Sequence, residues 1–192
     1  MRLAGVAISG FLLPPIHSMP HFFTQQPNRG TLSTQTEQWT RLILAYARHR
    51  KLFMFRAEDA VATTGEWGAV LLNERINRRV LPAHLAYIFA DMVAKNVAGY
   101  EPPKQTRSIL LYWRLPEEWA EVLHGWITST TQLKKILTFY EITNPPIESP
   151  LTDLPLTLLR QAIAILGKTG RAQTITVPDG EGARFFAGSW RP

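Results

Sequence analysis

Few groupings in this 192-residue chain have the residue types and spacing to do chemistry. Gly167-Lys168-Thr169 has the form of the tail of a phosphate-binding loop, in which backbone N–H groups and a lysine cradle phosphates. The glycine that such a loop needs five positions earlier is Ala162, and the segment closes a helical pattern instead of leading from a strand into one. Lys168 therefore reads as a cation near the negative end of a helix. The five histidines (His17, His21, His49, His84 and His124) show no metal-ligand spacing, and His84 and His124 read as polar-face or boundary residues of helices. With no cysteine, neither a disulfide framework nor a cysteine-ligated metal is open to the chain. Glu117, Glu118 and Glu121 have the types of an acid/base set, but a solvated first helical turn accounts for them. No serine, histidine and acid fall together in a nucleophile motif. These observations predict a protein with no catalytic residues, no metal, no cofactor and no small-molecule substrate.

The remaining chemistry is that of surfaces. Net charge is +6, and its distribution matters more than its sum. Residues 1–35 hold two basic and no acidic residues, residues 36–114 twelve and seven, and residues 115–192 seven and eight. Arg75, Arg78 and Arg79 form one cluster, with His84 and Lys95 beyond it. Such a patch suits nucleic acid, an anionic membrane or an acidic protein surface, although a merely solvated face explains most runs of this kind. A nucleic-acid-binding regulator is thus one reading of the chain. Against it, the last helical segment carries only Arg160, Gln161 and Lys168 as polar candidates, a poor match to phosphate neutralisation.

The second surface lies near the N-terminus. Residues 13–28 run Leu-Pro-Pro-Ile-His-Ser-Met-Pro-His-Phe-Phe-Thr-Gln-Gln-Pro-Asn, two proline–aromatic steps back to back. Prolines remove backbone donors and hold the chain extended, so the segment is expected to be neither a central strand nor a helix. Yet Ile16, Phe22 and Phe23 are residues that favour burial. An extended apolar ribbon offered to a partner and an arm folded back on its own domain both satisfy this local sequence. Residues 2–13 resemble a short signal peptide, but the apolar run breaks at Pro14-Pro15 without a convincing cleavage site; residues 1–12 read instead as a disordered extension.

The elements that position these residues follow a repeated order. Thr34-Gln35-Thr36-Glu37 reads as a capping box, followed by Trp39, Leu42, Ile43, Tyr46 and Ala47 at helical spacing as far as Arg50. Leu52 to Phe55 reads as a short strand, and Val70 to Arg79 as a short basic helix. Pro82 opens a longer helix with Leu85, Ile88, Phe89, Met92 and Val93 inward and Gly99 as its terminator. Ile109 to Trp113 reads as a buried strand. The order then repeats: a helix from Pro116, a strand or short helix over Leu133 to Thr143, a helix from Pro155 to Lys168, and a hairpin over Gln173 to Phe186 turning at Pro178-Asp179-Gly180. Helices followed by a hairpin form the winged-helix order. The predicted fold is mostly α with small β-hairpins: two tandem winged-helix domains, 34–114 and 115–186, preceded by an arm over 13–33 and followed by a tail over 187–192.

Four stretches together carry a family resemblance. They are residues 13–28, then Leu111-Tyr112-Trp113-Arg114-Leu115-Pro116-Glu117-Glu118-Trp119, then Leu137-Thr138-Phe139-Tyr140-Glu141-Ile142-Thr143, and then Ile175-Thr176-Val177-Pro178-Asp179-Gly180 with Phe185-Phe186. The chain resembles the small-subunit family of ESCRT-II, the second endosomal sorting complex required for transport, over roughly residues 13 to 186. The resemblance implies a non-enzymatic role in sorting ubiquitinated cargo into multivesicular bodies. It further implies a cytoplasmic protein with indirect, peripheral association with endosomal membranes. Two copies would dock on the larger subunits, vacuolar protein sorting-associated proteins 22 and 36, through Pro14, Pro15, His17, Pro20, Phe22 and Phe23. The second winged helix would recruit the ESCRT-III subunit, protein 20, and Thr138, Phe139, Tyr140 and Glu141 are the residues expected to do so. His17 stands where the family has tyrosine and His21 where it has proline, which predicts docking weakened by about 1 kcal/mol for a lost hydrogen bond.

Overall fold

The structure, a computed structural model, describes residues 7–8, 10–62, 65–177 and 180–188. The chain divides into two units at residues 113 and 114.

In the first unit, β1 (Ala7–Ile8) and β2 (Phe11–Leu12) pair antiparallel around Gly10, whose φ of +81° is a conformation glycine adopts freely. These residues are thus not the structureless extension expected over 1–12; residues 1–6 and 9 lie outside the described residues. The arm is not an extended ribbon either. Prolines sit at the first position of a 3-10 turn (Pro15–Ser18) and of a short helix, α1 (Pro20–Phe23), where a missing N–H costs nothing.

Helix α2 (Arg29–Arg50) begins before the expected Thr34 box. Asn28 caps it by accepting from the Thr31 backbone N–H at 3.1 Å. Inside the helix the Thr34 and Thr36 hydroxyls donate to carbonyls four residues back, so the threonines are helix-interior groups and not caps. Strand β3 (Met54–Arg56) and a short helix, α3 (Gly68–Leu71), follow. The basic helix expected to Arg79 stops at Leu71, because Asn73 accepts from the Arg75 N–H and Asn77 turns left-handed (φ 49°). Both are common asparagine behaviours in turns. The result is a small hairpin, β4 (Leu72–Asn73) and β5 (Arg78–Arg79). Helix α4 (Pro82–Ala94) ends at Asn96 (φ 56°) and not at Gly99, which lies in β6 (Ala98–Tyr100). Strand β7 (Ser108–Leu111) closes a three-stranded antiparallel sheet of order β3-β7-β6.

The second unit repeats this order without the inserted hairpin. It runs α5 (Pro116–Ser129), β8 (Ile136–Thr138), α6 (Phe139–Thr143), α7 (Leu156–Lys168), β9 (Ala172–Val177) and β10 (Gly180–Phe185). Sheet order is β8-β10-β9, the same topology as β3-β7-β6. Each unit is therefore a winged helix. Trp119, Leu123 and Ile127 of α5 bury with Leu158, Leu159, Ala162, Ile163 and Leu166 of α7 in its core. At Gly182 a Cβ would come within 2.9 Å of the Leu137 carbonyl, so only glycine lets β10 approach β8 this closely. The hairpin turn expected at Pro178-Asp179 falls outside the described residues.

Candidate docking surfaces

The arm is latched to its own unit through His17, Phe22 and Phe23. Phe22 is fully buried and stacks on Trp39 with ring centroids 4.2 Å apart and planes 5° from parallel. The Trp39 indole N–H donates to the Phe22 carbonyl at 2.9 Å. Gln35, buried on α2, donates to the carbonyls of Phe22 and Thr24, each at 2.9 Å. Phe23 packs edge-on against both Trp39 and His17.

His17 is 3% exposed, and its neighbours settle the tautomer. The Asn73 amide donates to the His17 carbonyl at 2.8 Å and toward Nδ1 at 3.3 Å, so the proton resides on Nε2 and is donated to the Val70 carbonyl at 2.8 Å. His17, Phe22 and Phe23, expected to meet a partner directly, are thus interior residues. The reason is local: Trp39 offers Phe22 a flat aromatic face, and the turn ending α3 leaves the Val70 carbonyl for His17 to satisfy.

What the latch leaves outside is a groove of about 610 Å³ between the arm and α2. Leu12, Pro14, Pro15 and Ile16 line one side of it, and Arg41 and Ala45 the other. Leu12 is 65% exposed, while Pro15 and Pro20 also face solvent.

In the second unit Thr138 and Glu141 form a reciprocal cap on α6. The carboxylate accepts from the Thr138 backbone N–H at 2.7 Å and its hydroxyl at 2.9 Å, and the hydroxyl accepts from the Glu141 N–H at 3.2 Å. These donors hold the Glu141 carboxyl below its usual range, the backbone N–H most of all. Phe139 turns inward at 6% exposed, whereas Tyr140 is 72% exposed. Tyr140, Asn144, Asp153, Pro155 and Leu156 line a second groove of about 600 Å³, and the Arg160–Glu181 ion pair at 2.8 Å is part of its lining.

The groups singled out for other chemistry have structural tasks. Glu118 accepts from the Leu115 N–H, and Glu121 takes a bidentate pair with Arg171 at 2.6 and 3.0 Å. Arg160, one of the candidates for phosphate contact on α7, is engaged by Glu181. His124 meets the Phe186 carbonyl at 2.8 Å, as a boundary residue does. His84, in contrast, is buried at 2% and not on a polar face, with its ring edge-on to Trp39. Among the described residues, no cluster of metal-ligating side chains occurs, and no helix is long and apolar enough to cross a membrane.

Burial pulls both His17 and His84 below the usual histidine value of 6.5, with the Val70 and Phe23 backbones opposing it weakly. The unfolded chain therefore takes up these protons first as pH falls through 6.5, and the first unit loses stability there. Each histidine contributes a slope of at most about 1.4 kcal/mol per pH unit. Urea unfolding at pH values between about 7 and 5.5 checks this, since the lowered carboxylates of Glu121 and Glu141 begin to contribute only as pH nears their usual 4.5. His17→Gln should flatten the dependence; an unchanged slope would refute the assignment.

A family model for ESCRT-II complex subunits matches residues 16–149. The vacuolar protein-sorting-associated protein 25 of Danio rerio is 29% identical over 178 residues, covering 92% of this chain and 99% of that protein. Its Homo sapiens counterpart is 30% identical with 92% and 98% covered. The crystal structure of subunit VPS25 of the endosomal trafficking complex ESCRT-II superposes with a TM-score of 0.74 at 21% identity, covering 90% of this chain and 98% of that one. A chain of the crystal structure of the endosomal complex ESCRT-II (VPS22/VPS25/VPS36) gives 0.74 at 20% identity, covering 90% of this chain and 98% of that one.

Proposed function

The chain belongs to the ESCRT-II complex subunit family, and on that premise we propose that it is a non-catalytic assembly subunit acting in endosomal trafficking. It docks on the larger subunits, vacuolar protein sorting-associated proteins 22 and 36, two copies to a complex, from the cytoplasmic side of the endosome. Its second winged helix recruits the ESCRT-III subunit, protein 20, through the face that bears Thr138, Tyr140 and Glu141. This is the step that leads to sorting of ubiquitinated cargo into multivesicular bodies.

The observation that carries the reading is the division of labour within the arm. His17, Phe22 and Phe23 are the latch, and Leu12, Pro14, Pro15 and Pro20 are the side chains left for a partner. Prolines already held in place lose little conformational freedom on binding, and the groove beside them is largely apolar. The family's tyrosine position is filled here by a histidine that faces inward, so docking in this chain rests on the prolines and Leu12.

Removing residues 1–27 is a poor test, because it takes Leu13, Phe22 and Phe23 out of the core. Leu12→Asp and Pro15→Ala leave the core intact. Co-purification with the two larger subunits should weaken at least about tenfold for Leu12→Asp, since a carboxylate would be desolvated in an apolar contact. Undiminished assembly by both variants, with unchanged circular dichroism, would reject this docking surface.

A further inference from the structure

Away from both docking surfaces, the sheet of the second unit ends in an open edge. Its order is β8-β10-β9, so β9 has a neighbour on one side only. The Phe186 N–H donates to the Arg171 carbonyl at 2.9 Å, and the register runs on from Ala172 opposite Phe185 to Val177 opposite Gly180. Alternate residues of an antiparallel ladder share hydrogen bonds, so Gln173 and Ile175 bond β10 while the N–H and C=O groups of Ala172, Thr174 and Thr176 point the other way. Ala172 is buried, but Thr174 and Thr176 are exposed, which leaves two backbone donors and two acceptors facing solvent. Such an edge is a template for another strand, and proteins usually blunt it with charge, proline or shortness. The other edges of the two three-stranded sheets are three residues each: β3 ends in Arg56, Lys134-Lys135 lead into β8, and Glu101 and two prolines follow β6. Strand β9 has six residues, Ala-Gln-Thr-Ile-Thr-Val, with neither charge nor proline.

The side chains say what pairs there. Ala183 and Phe185 point into the core, so Gly182 and its cross-strand partner Ile175 lie on the opposite face of the sheet. Gly182 offers Ile175 no side chain to pack on, and Ile175 is left half-buried. A second β9 laid antiparallel about a two-fold axis at Ile175 supplies both missing partners. Thr174 of each copy then lies opposite Thr176 of the other, and their exposed backbone groups are all taken up in four hydrogen bonds. The two Ile175 side chains meet at the axis, in a non-hydrogen-bonded pair whose Cα atoms approach to about 4.5 Å. With no charge on the strand, nothing in it opposes pairing with itself. We propose that β9 pairs with β9 of a second copy of this chain, antiparallel and centred on Ile175, so that two three-stranded sheets become one of six strands. Four backbone bonds and one isoleucine pair fall well short of the about 1,200 Å² that a stable dimer buries, so the contact is weak alone and gains strength where several copies are held close together. It goes beyond docking on the larger subunits, and no residue of β9 lines either groove.

The test uses the full chain by itself. Sedimentation equilibrium from about 5 to 500 μM should show the average mass rising from monomer toward dimer. Over the same range the Thr174 and Thr176 amides should exchange more slowly by NMR, while Gln173 and Ile175, already bonded to β10, hold nearly steady. This readout needs no variant to fold. Ile175→Lys sets two ammonium groups face to face at the axis and should weaken self-association about tenfold or more, and Ile175→Glu should do the same. An equimolar mixture of the two variants should regain it as a mixed dimer, because the axis then joins a lysine to a glutamate. A mass that stays monomeric throughout the range, exchange at Thr174 and Thr176 that ignores concentration, or a mixture no more associated than its components would each overturn the pairing. Self-association untouched by Ile175→Lys would overturn it in favour of another surface, such as the apolar groove beside Leu12. None of these measurements involves the larger subunits, so failure here and failure of the docking surface are separable.

Discussion

Phe22→Ala should cost the first unit about 3–5 kcal/mol, because it removes a fully buried ring from a close-packed stack. The backbone carbonyl of residue 22 stays, so its bonds from Trp39 and Gln35 can persist and the loss isolates the ring. A contribution of that size approaches the whole stability of a small domain. Hydrogen exchange followed by mass spectrometry reads the outcome unit by unit: protection should fall across α2 and α4 and remain in α5 and α7. A purely docking role predicts the opposite, full protection together with lost binding to the larger subunits. Unchanged exchange in α2 would mean that the arm is not part of the first core.

The second unit was the more legible of the two in sequence. Pro116 marks the start of α5, Leu158 to Leu166 keep an unbroken helical phase, and two β-rich runs flank a turn signal. Local propensity and tertiary need agree at each of these places. The first unit misleads repeatedly for one reason, that a short-range signal competes with a longer-range partner. The Thr34 box is outbid by Asn28, which starts the helix a turn and more earlier. The arginine-rich stretch after Leu71 has good helix formers, yet Asn73 is needed to hold His17 fifty-six residues away. The arm's prolines describe a chain that resists regular structure, but the face Phe22 covers belongs to Trp39, and no local pattern names it. His84 eluded the reading similarly: on a helix its spacing fits a boundary, and only the fold brings α1 down over it.

Neighbouring residues in α6 show the same limit within a single turn, and they yield the sharpest test of the second surface. Phe139 and Tyr140 are equally aromatic in sequence, but the Thr138–Glu141 cap sets the first turn of the helix so that one ring enters the core and the other stands in solvent. Phe139→Ala should therefore behave as a core deletion, costing about 3–5 kcal/mol and giving no clean reading on partners. Tyr140→Ala should change stability by no more than about 0.5 kcal/mol. If the face recruits the ESCRT-III subunit, Tyr140→Ala should weaken that binding by about 2 kcal/mol or more, roughly 30-fold, as aromatic anchors at interface centres do. Glu141→Lys is the less direct probe, since it also removes the cap, at a cost of about 1 kcal/mol to α6. Titration calorimetry of the ESCRT-III subunit into wild type and Tyr140→Ala decides the matter. An unaltered Kd places recruitment elsewhere on the unit, and a loss without change in thermal unfolding assigns it to the groove between α6 and α7.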